Sequence, residues 1–382
     1  QSHIDFRAKC RKFVDEEIIP NCDEWDANGY PNELHQKAYA AGLNGVIFPK
    51  EYGGTPPPGF DAFHELILWD ELNRAGVGVM GQLGINSMAL PPVVNFGSSY
   101  LKEKVIRGVA TGTHNIALAI SEPTAGSDVA NIQCTARREG DHYIVSGQKK
   151  WISGGFRADF FTLACRTGGP GLKGISLLLL EKNMPGLKVR KMEKQGNGAH
   201  ELTFVTLEDV KVPVTHLIGE EGKGFYYIVN NFNHERFVLA CQANRMARLC
   251  LEEAWKHAVV RKTFGKRLIE HQIIRHKLSE MARQVEATHD MLERTAYAFN
   301  NGSADRLGGI CAMLKVQASM TFEYCAREAS QVFGGSSIVK EGRGKVVERL
   351  YREVRATAIP GGSEEILRDL SIKQAIRTAA KL

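Results

Sequence analysis

The sequence predicts an α+β fold in three sections, helical, then β-rich, then helical again, and three observations carry that prediction. From residue 1 to about 115 the apolar residues recur at helical spacing. From Ile116 to about Gly219 the apolar period falls to two. Beyond that it returns to 3.6, with no proline between Pro213 and Pro360. The sections divide the chain at 1–115, 116–222 and 223–382. Strands and helices do not alternate, so a doubly wound nucleotide-binding sheet is disfavoured.

In the first section Phe6, Phe13 and Ile18 begin one amphipathic face, and Phe63, Leu66, Leu68 and Leu72 a second. Proline pairs and glycines near 53–59 and 91–97 punctuate it. The middle section holds the strand-like runs "HYIVSG", "FFTLACRT", "GISLLLLEK" and "LTFVTLEDVKV", with "REGDHY" as a hairpin turn. The last section carries long helical stretches through Leu239, Met246, Leu251, Ile274, Leu278, Met281, Met313 and Phe322, the composition of a helical bundle.

Composition excludes several classes. Hydrophobic content of 43% and charged content of 24% are those of a globular chain, and no apolar run is long enough to span a membrane. The formal charge of +6 is mild: it suits a solvated surface, or attraction of phosphate-bearing ligands such as CoA esters or nucleic acid. Eight scattered cysteines form no C-x-x-C pair, which argues against a zinc or disulfide framework and for a reducing compartment. Twelve histidines form no H-E-x-x-H pattern, so no metal is expected. The chain starts at Gln1, so a targeting segment has either been removed or lies outside it.

Three motifs point to chemistry. "LAISEPTAGSDVAN" (118–131) leaves a strand for a loop rich in Gly, Ser and Thr, and "KKWISGG" (149–155) puts a Trp beside a hydroxyl at a strand end. Each alone reads as turn or core; together they make a platform for a flat aromatic ligand. Trp151 would cover a ring face, and Ser121 and Ser153 would donate to its heteroatoms. "AIPGGSEEI" (358–366) has the form of a helix start that meets an anion. No side chain from Pro360 to Gly362 can take a proton.

At this point the chain resembles the acyl-CoA dehydrogenase family over nearly its whole length. The resemblance rests on "AISEPTAGSD", "KKWISGG", "RKTFGKRLIEHQ" (261–272), "QVFGG" (331–335) and the closing "YREVRATAIPGGSEEI", in family order. It implies an N-terminal helical domain, a middle β-barrel or sandwich and a C-terminal four-helix bundle. It also implies FAD as cofactor. Leu118, Ile120, Ser121, Gly126 and Ser127 would line the flavin, with Trp151, Ile152 and Ser153 closing the opposite side. Arg261, Lys262, Thr263 and Phe264, with His271 and Gln272, would hold the pyrophosphate and ribityl region. Gln331, Val332, Gly334 and Gly335 would reach the FAD of a neighbouring subunit, which implies a homotetramer built from dimers. Ser363 and Glu365 would complete the site at a helix start.

The same resemblance implies an oxidoreductase that converts an acyl-CoA to the trans-2-enoyl-CoA, in fatty-acid β-oxidation. Its electrons would pass from FAD to an electron-transferring flavoprotein. The α-proton needs a base within hydrogen-bond reach. Medium- and short-chain members carry a Glu in the last loop, and here the aligned residue is Gly361. Isovaleryl- and long-chain-type members place a Glu before an Arg on an earlier helix, which matches Glu235 and Arg236 in "NFNHERFVLA". Glu235 is therefore the expected base, with a pKa raised by burial. Phe232, Asn233 and Arg236 around it, with Ser127, Gly361 and Gly362, would contact the acyl-CoA. Gly81 and Gly84 in "MGQLGINSMAL" would leave the acyl pocket floor open to a straight medium or long chain, unless they only ease helix packing.

Asn131, Ser337 and a longer segment at 340–349 depart from the family pattern. Two other readings stay open: a non-dehydrogenating relative that binds flavin and acyl-CoA or DNA, and an oxidase on the same fold. No nucleic acid is expected as partner. The mitochondrial matrix and the bacterial cytoplasm fit the reduced cysteines equally.

Overall fold

The computed structural model of the chain describes residues 1–76, 79–196, 199–302 and 304–380. Its first section is helical: α1 (Ser2–Phe13), α2 (Cys22–Asn28), α3 (Leu34–Ala40), α4 (Ala62–Leu72), α5 (Val79–Ala89), α6 (Pro91–Phe96) and α7 (Ser99–Thr111). The ends of α4 and α7 follow from local chemistry. Asp61 caps α4 by accepting from the amides of Phe63 and His64 at 3.1 and 3.0 Å. Ser98 caps α7, and Gly112 ends it at φ 76°, where a Cβ would meet the His35 backbone at 2.5 Å. The carboxylate of Asp61 also draws His3 and His64 together; it is the one cluster among the described residues with metal-ligand spacing, and helix capping accounts for it.

The middle section is a sheet of eight strands: β1 (Ile116–Ala119), β2 (Thr135–Glu139), β3 (His142–Ser153), β4 (Phe160–Arg166), β5 (Ile175–Glu181), β6 (Leu187–Lys191), β7 (Leu202–Pro213) and β8 (Leu217–Ile218). The order is β6-β7-β3-β2-β4-β5-β8, with β1 added parallel to β4. The continuous apolar runs in β4 and β5 arise because both faces are covered. Phe160, Ala164, Ile175, Leu177 and Leu179 point into a core shared with α6 and α7, and Phe161, Leu163, Cys165, Leu178 and Leu180 into the core of the sheet itself.

The last section contains α8 (Gly224–Val260), a two-stranded hairpin of β9 (Lys262–Thr263) and β10 (Lys266–Arg267), α9 (Gln272–Asn300), α10 (Ala304–Phe333), α11 (Lys345–Ala358) and α12 (Glu364–Ala379). α10 packs against α8, α9, α11 and α12, so a fifth helix joins the four expected. The segment 340–349 is loop only as far as Gly344; its second half is the first turn of α11, because Val347 and Leu350 bury an amphipathic face. Ion pairs with buried carboxylates tie α4 to α1 within the first section and to α8 of the last. Glu71 of α4 accepts from Arg7 and Arg11 of α1 at 2.9 and 2.8 Å, and Asp70 accepts from Arg245 Nε of α8 at 2.8 Å. Among the described residues no helix is long and apolar enough to cross a membrane.

Candidate active site

Three clusters contain most of the residues singled out from the sequence. The first lies where β1 and β3 end. Lys149 is fully buried; its Nζ donates to the Ile120 carbonyl at 2.9 Å and to Glu122 Oε1 at 2.7 Å. Glu122 also accepts from the amides of Gln133 and Cys134, at 2.6 and 3.0 Å, so the buried carboxylate is well satisfied. The Lys150 amide donates to the Ser121 carbonyl at 2.9 Å. Lys149 and Lys150 pin the chain before Trp151 and the pairing of Ile152 with Thr203 pins it after, and between Lys149 and Ile152 the register of β3 with β7 shifts. Trp151 takes up the irregularity at φ 62°, a conformation in which a bulky residue is a true outlier. Its indole stays 45% exposed. A strained, exposed Trp, on a strand joined at Lys150 to the segment that leads to an open Gly126 and an exposed Ser127, fits a site for a planar ring. Ser153 Oγ lies 3.1 Å from His200 Nε2. The side chains of Ile120 and Ile152 do not face this platform: each enters a hydrophobic core.

The second cluster lies on α8. Glu235 is only 7% exposed, and burial pushes its carboxyl up from 4.5 to about 7, offset in part by a hydrogen bond from Asn231 and by the charges of His234 and Arg236. Asn231 Nδ2 donates to Glu235 Oε1 at 3.2 Å and to the Met88 carbonyl at 3.1 Å, so it locates the carboxylate relative to the end of α5. Arg236 Nε donates to the Gly361 carbonyl at 3.0 Å, its Nη1 to Asn233 Oδ1 at 3.4 Å, and its guanidinium lies 5.3 Å from the Phe232 ring centre. Glu235, Phe232, Asn233, Arg236 and Gly361 are thus brought together. Gly361 is at φ 72°, and a Cβ there would lie 2.8 Å from Leu239 Cδ1, so this backbone favours glycine twice over. Gly362 follows at φ 114°, and Ser363 caps α12.

Gly84 faces a neighbouring helix. A Cβ on Gly84 would lie 3.2 Å from the Trp69 ring, so that face of α5 is filled by an indole of α4. Trp69 Nε1 donates to Glu65 at 3.3 Å, and Glu65 pairs with His234. The surroundings of Gly81 lie outside the described residues.

The third cluster is at the far end of α8. The Arg261 amide closes the last helical turn by donating to the His257 carbonyl at 2.9 Å, Thr263 Oγ1 lies 3.3 Å from His271 Nε2, and His271 leads into Gln272 at the start of α9. Phe333 stacks on His257 with ring centres 4.1 Å apart, which brings Gln331 to Gly335 to the same end. Val332 is buried, whereas Gly334 and Gly335 are open. Phe264 stands at φ 50° and is 96% exposed. Arg261 caps α8, 26 residues beyond Glu235, a separation of about 39 Å at about 1.5 Å per residue.

Comparison with known proteins agrees with this layout. Models of the N-terminal, middle and C-terminal acyl-CoA dehydrogenase domains match residues 1–113, 117–210 and 222–376. The chain belongs to the acyl-CoA dehydrogenase family. It is 39% identical over 394 residues to acyl-CoA dehydrogenase AFT10-1 of Alternaria alternata, covering 98% of this chain and 91% of that protein. It superposes with a TM-score of 0.92 on a probable acyl-CoA dehydrogenase from Mycobacterium abscessus, at 38% identity and covering 97% and 98% of the two chains. An acyl-CoA dehydrogenase from Bacillus anthracis, solved with FAD, gives 0.91 at 27% identity, covering 99% of this chain and 67% of that one. The family binds FAD, and the platform around Trp151 fits a planar ring. The chain is therefore an FAD-dependent oxidoreductase that dehydrogenates an acyl-CoA.

Sequence reasoning missed Asn231, Lys149 with its partner Glu122, and the Glu65–His234 pair. A Lys in a strand and an Asn in a helix read as surface, and nothing local marks them as buried.

Proposed function

We propose that Glu235 takes the α-proton of an acyl-CoA thioester, so that the product is the trans-2-enoyl-CoA. FAD, when bound, supplies the acceptor for the β-hydride at N5. The observation that carries the reading is a buried carboxyl near 7, held by Asn231 beside an Arg236 that clasps the Gly361 loop. At that pKa it is part ionised at neutral pH and can accept a proton. Asn231 engages one carboxylate oxygen, which leaves the other for the substrate. The loop aligned with the medium-chain base cannot serve, since Gly361 has no side chain and little room for one. Phe232, Asn233, Gly362 and Ser127 would then bound the thioester.

Trp151, Ser121 and Ser153 would hold the flavin ring of the same chain. Arg261, Thr263, Phe264, His271, Gln272 and the segment 331–335 would serve the FAD of a partner subunit, in a homotetramer built from dimers. The span of about 39 Å and the bare Phe264 ring support that division. An electron-transferring flavoprotein is the proposed acceptor, and fatty-acid β-oxidation the proposed setting.

Anaerobic titration of the yellow protein with CoA esters, short to long, straight and branched, tests this. Bleaching of the flavin's visible absorbance with slow reoxidation in air is expected of a dehydrogenase. Rapid reoxidation would mark an oxidase, and no bleaching with any ester would mark a relative that only binds.

A further inference from the structure

Lys315, in the middle of α10, is 1% exposed, an unusual place for an ammonium group. Its Nζ donates to the carbonyls of Ala358 and, at 3.0 Å, Gly362. Ala358 is the last residue of α11, where a cation complements the negative end of the helix. The carbonyl between them, of Gly361, accepts from Arg236 Nε at 3.0 Å. Two buried cations from two helices thus hold the last carbonyl of α11 and two carbonyls of the five-residue loop that follows it. The C=O and N–H of a trans peptide point in opposite directions. Drawing the Gly361 and Gly362 carbonyls toward the cations therefore turns the amides of Gly362 and Ser363 away from them.

We propose that Lys315 is a positioning residue for the dehydrogenation: by anchoring Ala358 and Gly362 it sets the loop that faces Glu235 through Arg236, and so places the acyl-CoA α-carbon relative to the base. The proposal rests on the Glu235 reading given above. Its chemistry is electrostatic and geometric. Burial above all, with Arg236 of α8 and Arg355 of α11 and against the opposing charge of Glu364 of α12, lowers the ammonium to about 8. The group is charged at pH 7 and loses its charge as the pH rises through about 8. Deprotonation leaves two N–H donors but removes the positive charge, so the bonds to the Ala358 and Gly362 carbonyls lose their charge assistance and the anchor weakens.

The test uses Lys315→Met and Lys315→Arg in the FAD-loaded assembly and in the ligand-free protein. In ligand-free Lys315→Met, amide exchange across 359–363 should quicken at least roughly 10-fold while the later turns of α12 stay protected. In FAD-loaded Lys315→Met the limiting rate of flavin reduction should fall on the order of 10- to 100-fold with little change in acyl-CoA affinity, since misplacement costs rate more than binding. Lys315→Arg should recover part of the rate and move the alkaline limb of the wild-type pH profile from about 8 to higher pH. Should Lys315→Met fail to load FAD, Lys315→Gln, which keeps one donor group, is read instead. Unchanged loop exchange, or faster exchange with a wild-type reduction rate per bound FAD, would overturn the proposal. A wild-type flavin that no acyl-CoA bleaches would sink the dehydrogenase reading instead, and the exchange measurement would still decide the anchor.

Discussion

Replacing Glu235 by Gln keeps the volume of the side chain and an oxygen for Asn231, and removes the capacity to take a proton. Loss of a general base typically lowers rates on the order of 10²–10⁴-fold. The same substitution has a consequence for stability. Burial raises the folded-state pKa from 4.5 to about 7, so between those values the native state holds a proton that the unfolded state has lost. The wild type is then most favoured below 4.5 and loses stability as the pH rises toward 7. Above 7 the ionised, buried carboxylate costs on the order of 3 kcal/mol, at about 1.4 kcal/mol per pKa unit. Gln carries no such cost. Glu235→Gln should therefore bind FAD and acyl-CoA, fail to bleach, and gain stability over the wild type between pH 5 and pH 8. Stopped-flow flavin reduction reads the first effect, and denaturant melts at the two pH values read the second. Near-normal reduction would place the base elsewhere; equal stability differences at both pH values would mean that Glu235 is not desolvated as the structure has it.

Trp151→Ala should weaken FAD retention without lowering the melting temperature of the ligand-free protein, because it removes a strained, exposed ring and no core contact; retention of FAD at wild-type strength would take Trp151 out of the site. Phe264→Asp should leave the secondary structure intact but release FAD and dissociate the assembly in light scattering. A stable FAD-loaded monomer, in the variant or in the wild type, would refute the shared site. Gly84→Leu should cost stability by about 1–3 kcal/mol through its collision with Trp69. A shortened chain-length preference at unchanged stability would show that Gly84 faces the acyl pocket instead.

The three-section architecture was legible because periodicity is local: helices and strands bury faces at fixed spacing, and the switch near Ile116 and the return near Gly224 are written in the order of residues. The family was legible for a related reason, since "AISEPTAGSD", "KKWISGG" and "PGGSEEI" are contiguous loops whose chemistry needs adjacent residues. The candidate base, too, could be read, as a Glu before an Arg set against a glycine in the last loop. What the sequence left open depends on which side chains meet across long separations. Asn231 to Met88, Arg236 to Gly361 and Lys315 to Gly362 join residues 47 to 143 positions apart, and no local pattern announces them. The strain at Trp151 likewise appears only once Lys149 and the Ser121 carbonyl pin the chain before it and the pairing of Ile152 with Thr203 pins it after. Burial is what turns these groups from surface residues into working ones: only the packed structure removes water from Glu235 and Lys315, and with the water goes the ordinary pKa of each.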